Sequence, residues 1–196
     1  MDEQDLGLDP LPPLRAWLHE AEAVSPTARA MTLATSTPDG LPSARVVLLR
    51  GVDERGLTFF TNRDSRKGGE LHANPRAALV LHWWELGRQI RVEGTVAEVE
   101  RVESEEYWET RPRPSRVAAW ASAQSRALPS RDRLEMAYAE AEAHFAGRDV
   151  PLPPHWGGFR VAPDVVEFWR HRENRLHDRV RFTRSGGEWL RERLAP

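Results

Sequence analysis

Cysteine is missing from this chain of 196 residues. That excludes disulfides, cysteine-ligated iron–sulfur clusters, thiolate zinc sites and a cysteine nucleophile. An excess of one charge is missing too: 28 basic and 30 acidic side chains leave a formal net charge of −2. That balance argues against a general nucleic-acid binder while allowing a local basic pocket. No apolar run approaches a membrane span. The segment Met1 to Pro10 is acidic and lacks the basic-then-apolar order of a signal peptide. A soluble, cytoplasmic protein is therefore expected. There is no Gly-rich dinucleotide fingerprint and no P-loop, since Gly68-Gly69 and Gly157-Gly158 stand in the wrong surroundings. No nucleophile elbow marks a serine hydrolase. His171 and His177 are six apart with only Glu173 and Asp178 near them, so no metal site is expected. Internal repeats and low-complexity segments are absent as well.

What is present suits one domain over residues 1–196, with 1–13 as a loose leader ended by Pro12-Pro13. Eight tryptophans are many for this length and fit an interface or a flat ring-shaped ligand as well as a core. Leu14, Trp17, Leu18 and Ala21 recur at helical spacing, which predicts an amphipathic helix over Leu14 to Ala23. Strands are expected at 30–36, 41–50 and 57–62, separated by turns at Thr37-Pro38-Asp39-Gly40 and Asp53-Glu54-Arg55-Gly56, as in an antiparallel meander. Asp64 or Ser65 can cap a helix from Arg66 to His72. Strands follow at 76–84 and 88–99, the latter with Ile90, Val92 and Val96 on one face.

The middle is helical: 102–110, a break at Arg111-Pro112-Arg113-Pro114-Ser115, a brief turn at 117–121, and a longer helix from the cap Ser130 to Phe145. Pro151 to Pro154 is a stiff linker. Four short strands close the chain, at 157–162, 165–170, 176–183 and 188–194. Many short antiparallel strands predict a mainly β protein, a small closed barrel with peripheral helices.

Chemistry gathers at three places. In an extended strand Arg175, His177 and Arg179 share a face, with Leu176 and Val180 pointing to the core; two fixed cations then flank an imidazole that titrates near neutral pH. Arg45, Thr61, Arg66 and Lys67 form one candidate anion site, two of them at a helix start. Tyr107, Arg111 and Ser115 form a second, with Tyr107 one helical turn before Arg111. Charge-assisted contacts of this kind contribute about 1.5–3 kcal/mol each, so several together hold a phosphate firmly.

These residues fall in a familiar order. The motifs are Arg45-Val46-Val47-Leu48-Leu49, Phe60-Thr61-Asn62, Ser65-Arg66-Lys67, Gly87-Arg88-Gln89, Tyr107 with Arg111-Pro112, Ala119-Trp120-Ala121-Ser122 with Gln124-Ser125, Trp156-Gly157-Gly158, Glu167-Phe168-Trp169, Arg175-Leu176-His177-Asp178-Arg179 and the closing Arg193-Leu194-Ala195-Pro196. From about Ala30 to Pro196 the chain resembles the pyridoxamine (pyridoxine) 5′-phosphate oxidases, FMN enzymes of vitamin B6 metabolism. The resemblance implies an FMN-binding split β-barrel working as a homodimer, with FMN in the cleft between subunits. By the same resemblance Arg45, Val46, Phe60, Thr61, Arg66, Lys67, Gln89, Gln124, Ser125, Trp169 and Arg179 would hold FMN. Arg50, Tyr107, Arg111 and Ser115 would meet the phosphate of a B6 vitamer, and Arg175 and His177 would close over its pyridine ring as the catalytic pair. Arg45 and Arg50 differ by an odd number, so a regular strand would put them on opposite faces; a bulge, or contributions to different subunits' sites, is required.

The chain departs from the family pattern in four places. Arg50 replaces a common Lys and Phe60 a common Tyr. The insert Arg170-His171-Arg172-Glu173-Asn174 is bulkier than the usual Gly-containing segment, and the leader is short, so lid closure is not implied. Related FMN oxidases of phenazine biosynthesis share the barrel, and a flavin-binding module without turnover is the reading from another class.

Overall fold

One long strand organises the molecule. The computed structural model describes residues 6–196, and the last ladder-forming segment before the C-terminal hairpin, β7 (Trp156–Arg170), runs for 15 residues. Its first half pairs antiparallel with β4 (Gly56–Asn62), its second half with β8 (Asp178–Ser185), and β6 (Arg88–Glu98) lies along nearly all of it. The expected break between two strands is a bulge: Gly94 faces Pro163 and Glu93 faces Val165, so Asp164 is left over. Proline cannot donate to a ladder, and a bulge lets the strand pass it. Gly94 permits the approach, because a Cβ there would lie 2.0 Å from the Ala162 carbonyl oxygen.

The remaining strands extend the sheet. β1 (Ala30–Ser36) pairs with β2 (Pro42–Leu48) and with β5 (Arg76–Trp83), β5 pairs with β6, β3 (Gly51–Asp53) with β4, and β8 with β9 (Glu188–Arg193). The path β2-β1-β5-β6-β7-β4-β3 does not close on itself by hydrogen bonds. The closed barrel expected from strand count is thus corrected: among the described residues the end strands β2 and β3 do not pair with each other, and the fold is the split barrel that the resemblance implied.

Helix α1 (Leu11–Glu22) covers one core, burying Leu14, Trp17, Leu18 and Ala21 as the periodicity predicts, with Trp17 edge-on to Phe168 at 5.1 Å. Each such large side chain contributes roughly 1.5–3 kcal/mol. Two expectations about proline are corrected here. Pro12 and Pro13 lie inside the first turn of α1, not before it, and Leu6 is buried in the same core, so the leader is not loose from Leu6 onward; residues 1–5 lie outside the described residues. Likewise α4 (Arg113–Ala121) starts within the supposed break, with Pro114 in its first turn. The first turn of a helix has no intrahelical acceptor for its N–H groups, so proline is favoured there.

A second, smaller core holds Trp108, Val117, Phe145, Val150 and Trp156 beneath α3 (Arg101–Glu109), α4 and α5 (Arg131–His144). Ser130 caps α5 by accepting from the Arg133 N–H at 3.3 Å. Among the described residues, no helix is long and apolar enough to cross a membrane.

Candidate active site

Helix α2 (Arg66–Ala73) gathers the first group of predicted residues. Ser65 caps it, with Oγ 3.4 Å from the Gly68 nitrogen, and a Cβ on Gly68 would strike the Arg63 carbonyl oxygen at 1.9 Å, so the turn before the helix packs directly on its backbone. Lys67 points inward and is buried. Its Nζ donates to Gln124 Oε1 at 2.8 Å, Ser65 Oγ at 3.1 Å and Thr61 Oγ1 at 3.2 Å. Burial first, then the neighbouring charge of Arg45, brings the Lys67 ammonium down to a pKa of about 8. Thr61 Oγ1 also donates to Gln124 Oε1 at 3.1 Å, so a loop residue far along the chain is tied to β4.

Arg45, on β2, reaches the same place. Its Nη1 donates to Thr35 Oγ1 at 2.6 Å and to the Leu33 carbonyl at 3.2 Å, its Nη2 to Ser43 Oγ at 2.5 Å. Val46 beside it faces the other way and is exposed, as the alternation of an edge strand requires. The parity argument does not apply: Arg50 lies beyond β2, its N–H donating to the Thr58 carbonyl at 2.8 Å, so strand alternation from Arg45 ends before reaching it and no bulge is needed.

Arg111 and Ser115 of the second group line a cleft of about 370 Å³, walled also by Phe60, Thr61, Asn62, Ala118, Ala119, Ser122, Gln124 and Trp156. The rings of Phe60, Tyr107 and Trp156 lie nearly parallel, Phe60 and Tyr107 with centroids 4.3 Å apart. Arg50 stands over Tyr107 at 5.2 Å and Arg111 over Trp156 at 4.8 Å. Arg111 Nη2 donates to the Ser115 carbonyl at 2.9 Å, but its Nε is buried without a partner. Burial holds the Arg111 guanidinium below its ordinary pKa, against the hydrogen bond and charge of Tyr107. A buried guanidinium with an unused donor is a fitting place for an anion.

The third group sits at the far end of β7. Gln89, Trp169 and Arg179 are register partners across β6, β7 and β8, so three residues spread over 90 positions form one row. Arg179 forks onto the buried Glu167 at 2.8 and 3.1 Å. The expected row of Arg175, His177 and Arg179 on one strand is corrected. β8 begins only at Asp178; Arg175 ends a single 3-10 turn, Glu173–Arg175, and His177 follows it. Leu176 is 68% exposed rather than in the core, whereas Val180 is buried as expected. Asn174 and Arg175 both have positive φ, 55° and 60°, and a reversal of that kind cannot belong to a strand. Arg175 is exposed, and His177 packs on Trp169 with centroids 4.6 Å apart. His177 Nδ1 accepts from the Arg172 N–H at 3.2 Å. Ser125 likewise has a positive φ of 71° and is exposed.

Residues 18–145 match the family model described as pyridoxamine 5′-phosphate oxidase, and residues 156–196 match the pyridoxine 5′-phosphate oxidase C-terminal dimerisation region. The chain belongs to the pyridoxamine 5′-phosphate oxidase family. It is 54% identical to the pyridoxine/pyridoxamine 5′-phosphate oxidase of Cupriavidus necator, covering 100% of this chain and 93% of that one. It is 53% identical to the enzyme of that name from Rubrobacter xylanophilus, over 96% and 87% of the two chains. Among solved structures, PhzG from Burkholderia lata 383 in complex with tetrahydrophenazine-1-carboxylic acid superposes with a TM-score of 0.93 at 36% identity, covering 98% of this chain and 95% of that one. A pyridoxamine 5′-phosphate oxidase-related, FMN binding protein from Nostoc punctiforme, at 19% identity and a TM-score of 0.77, shares the fold.

The boundary between the two family models separates the groups: the first two lie in the N-terminal region, and all of the third except Gln89 lies in the dimerisation region. Thr61 pairs with Gly157 at one end of β7 and Gln89 with Trp169 at the other, up to about 40 Å away along an extended strand. The sequence pattern missed Glu70, whose spacing of four from Arg66 on a helix was the available signal. Glu167 stood in a recognised motif but carried no role, and nothing in its neighbours along the chain points to Arg179 before the β7–β8 register is known.

Proposed function

We propose that this chain is an FMN-dependent oxidase that converts pyridoxamine 5′-phosphate and pyridoxine 5′-phosphate to pyridoxal 5′-phosphate, with dioxygen as acceptor and hydrogen peroxide as product. The observation that carries the reading is the pairing of two cationic sites, one around Lys67 and one around Arg111, with the parallel rings of Phe60, Tyr107 and Trp156 beside the second. Two phosphorylated ring compounds call for such a pair. Relatives at 53–54% identity carry this activity in their names, and PhzG, at 36%, represents the other reading. Bound FMN would supply the hydride acceptor and pass electrons to dioxygen.

The residues present fit that cofactor. Lys67, Arg66 and Arg45 with Thr61, Gln124 and Ser125 would take its phosphate end, and Phe60 and Val46 would flank it. Gln89, Trp169 and Arg179 would meet its ring system. Arg50, Arg111, Tyr107 and Ser115 would take the vitamer's phosphate, and Arg175 and His177 would orient its pyridine ring and handle protons. With Nδ1 accepting from the Arg172 N–H, neutral His177 carries its proton on Nε2, the nitrogen left to face a substrate. Because the first two groups and the third stand at opposite ends of β7, two copies of the chain would build each site together, with FMN at their interface. The description of residues 156–196 as a dimerisation region supports this arrangement.

The test is an oxidase assay on the FMN-loaded protein with both phosphorylated vitamers, reading peroxide and aldehyde. Turnover of either supports the reading. Turnover of a reduced phenazine precursor alone would move the protein to the other branch, and flavin binding without peroxide would make it a binding module.

A further inference from the structure

Glu70 is a carboxylate in the middle of a cation cluster, buried to 6% exposure. Its Oε2 accepts from Thr35 Oγ1 at 2.5 Å, from Ser43 Oγ at 2.6 Å and from Arg45 Nη2 at 3.3 Å; its Oε1 accepts from Arg66 Nε at 2.8 Å. Burial opposes its ionisation, but hydrogen bonds from Ser43, Thr35 and Arg66 and the charge of Arg66 bring its pKa down to about 2. It is therefore an anion at any working pH.

The two arginines are held differently. Arg45 spends both terminal nitrogens on the protein: on Leu33, Thr35, Ser43 and Glu70. Arg66 spends only Nε, on Glu70, and its side chain is 57% exposed. Among the described residues its two terminal nitrogens have no protein acceptor, and they are the edge of a guanidinium that grips a phosphate. One bond to Glu70 thus fixes a long, mobile side chain with its binding edge outward. The carboxylate also offsets one of the charges of Arg45, Arg66 and Lys67, leaving two in excess, which matches a phosphate monoester of about −1.5 to −2.

We propose that Glu70 is a positioning residue for the phosphate end of FMN, acting by anchoring Arg66. The inference rests on the FMN reading above. Charge alone and orientation predict opposite results, which makes the idea testable. Glu70→Gln removes a negative charge, so a site working by charge alone would bind the FMN phosphate more tightly. A site working by orientation would bind it more weakly, by about tenfold for one charge-assisted contact.

The measurement is a fluorescence titration of the flavin-stripped full-length protein with FMN and, in parallel, with riboflavin, which lacks the phosphate. The expected result for Glu70→Gln is an FMN affinity reduced about tenfold, riboflavin affinity unchanged, and little further loss when Arg66→Ala is already present. Tighter or unchanged FMN binding, an equal loss for riboflavin, or full additivity with Arg66→Ala would each overturn the proposal. Should Glu70→Gln not fold, Glu70→Asp keeps the charge but withdraws it from Arg66, and the same FMN-only loss is expected. If the unsubstituted protein itself takes up no FMN, the functional reading fails, not the assignment of Glu70 alone.

Discussion

The cluster around Lys67 and the turn that carries Arg175 hold their cations by opposite means. At Lys67 the charged groups are tied down by hydrogen bonds: the ammonium by three oxygens, Arg45 by four, and Glu70 by four donors, with Arg66 held at Nε alone. At Arg175 the backbone does the work. Two successive residues in left-handed conformation throw the side chain outward into solvent, and ion pairs at the foot of the turn, Asp178 with Arg172 at 2.7 Å and with Arg193 at 3.1 Å, keep its ends in place. A rigid cage suits a phosphate that stays bound. A turn with an exposed arginine suits a substrate that enters and leaves each cycle.

Substitutions sharpen the contrast. Arg175→Ala should lower turnover by about 10²-fold through lost substrate orientation while FMN content stays near normal. A colourless protein would instead place Arg175 in the cofactor cage. Lys67→Met should do the reverse, weakening FMN at least tenfold. Its partner experiment is a pH series. On the proposed assignment the FMN phosphate prefers the protonated Lys67 amine, whose pKa lies at about 8, so FMN affinity should fall as pH rises above about 8, and Lys67→Met should abolish that slope. A flat profile in the unsubstituted protein would contradict the assignment.

Arg66→Ala should cost FMN affinity roughly tenfold, read as flavin lost on dialysis. Smaller effects follow for stability. Glu70 is depressed from an ordinary 4.5 to about 2, so its stabilising contribution is present above about 4.5 and is lost as pH falls toward 2. Glu70→Gln should accordingly flatten the acid limb of a thermal-melt series. Asn174→Ala should cost about 1 kcal/mol, because alanine tolerates the left-handed region less well than asparagine. An unchanged melting temperature there would mean that the turn stores no such strain.

The same contrast explains what could be read from the chain alone. Around Lys67 the elements are local: a strand ending at Asn62, a capping Ser65, and Arg66 and Lys67 in the first turn of α2, so the cluster was visible as a spacing pattern. Around Arg175 it was not. Alternating residues from Arg175 to Arg179 imitate a strand, and the reversal that starts β8 at Asp178 depends on Asn174, for which periodicity gives no sign. Prolines misled twice for one reason, being stops after a helix and good starts within its first turn, as at Pro12 and Pro114. The row of Gln89, Trp169 and Arg179 was known only through family likeness, because a register across three strands leaves no trace in sequence spacing.

The central claim is that neither region makes a site without the other copy's counterpart. It is tested by co-expressing two differently tagged chains, one carrying Lys67→Met and the other Arg175→Ala, and purifying the mixed dimer. If each site takes its Lys67 end from one copy and its Arg175 end from the other, one site in the mixed dimer is intact. At an FMN concentration that fills the unsubstituted site but not the Lys67→Met site, the dimer should then show about half the unsubstituted activity, far above either homodimer. A mixed dimer as weak as the parent homodimers would mean that each chain builds its own site, and would contradict the account.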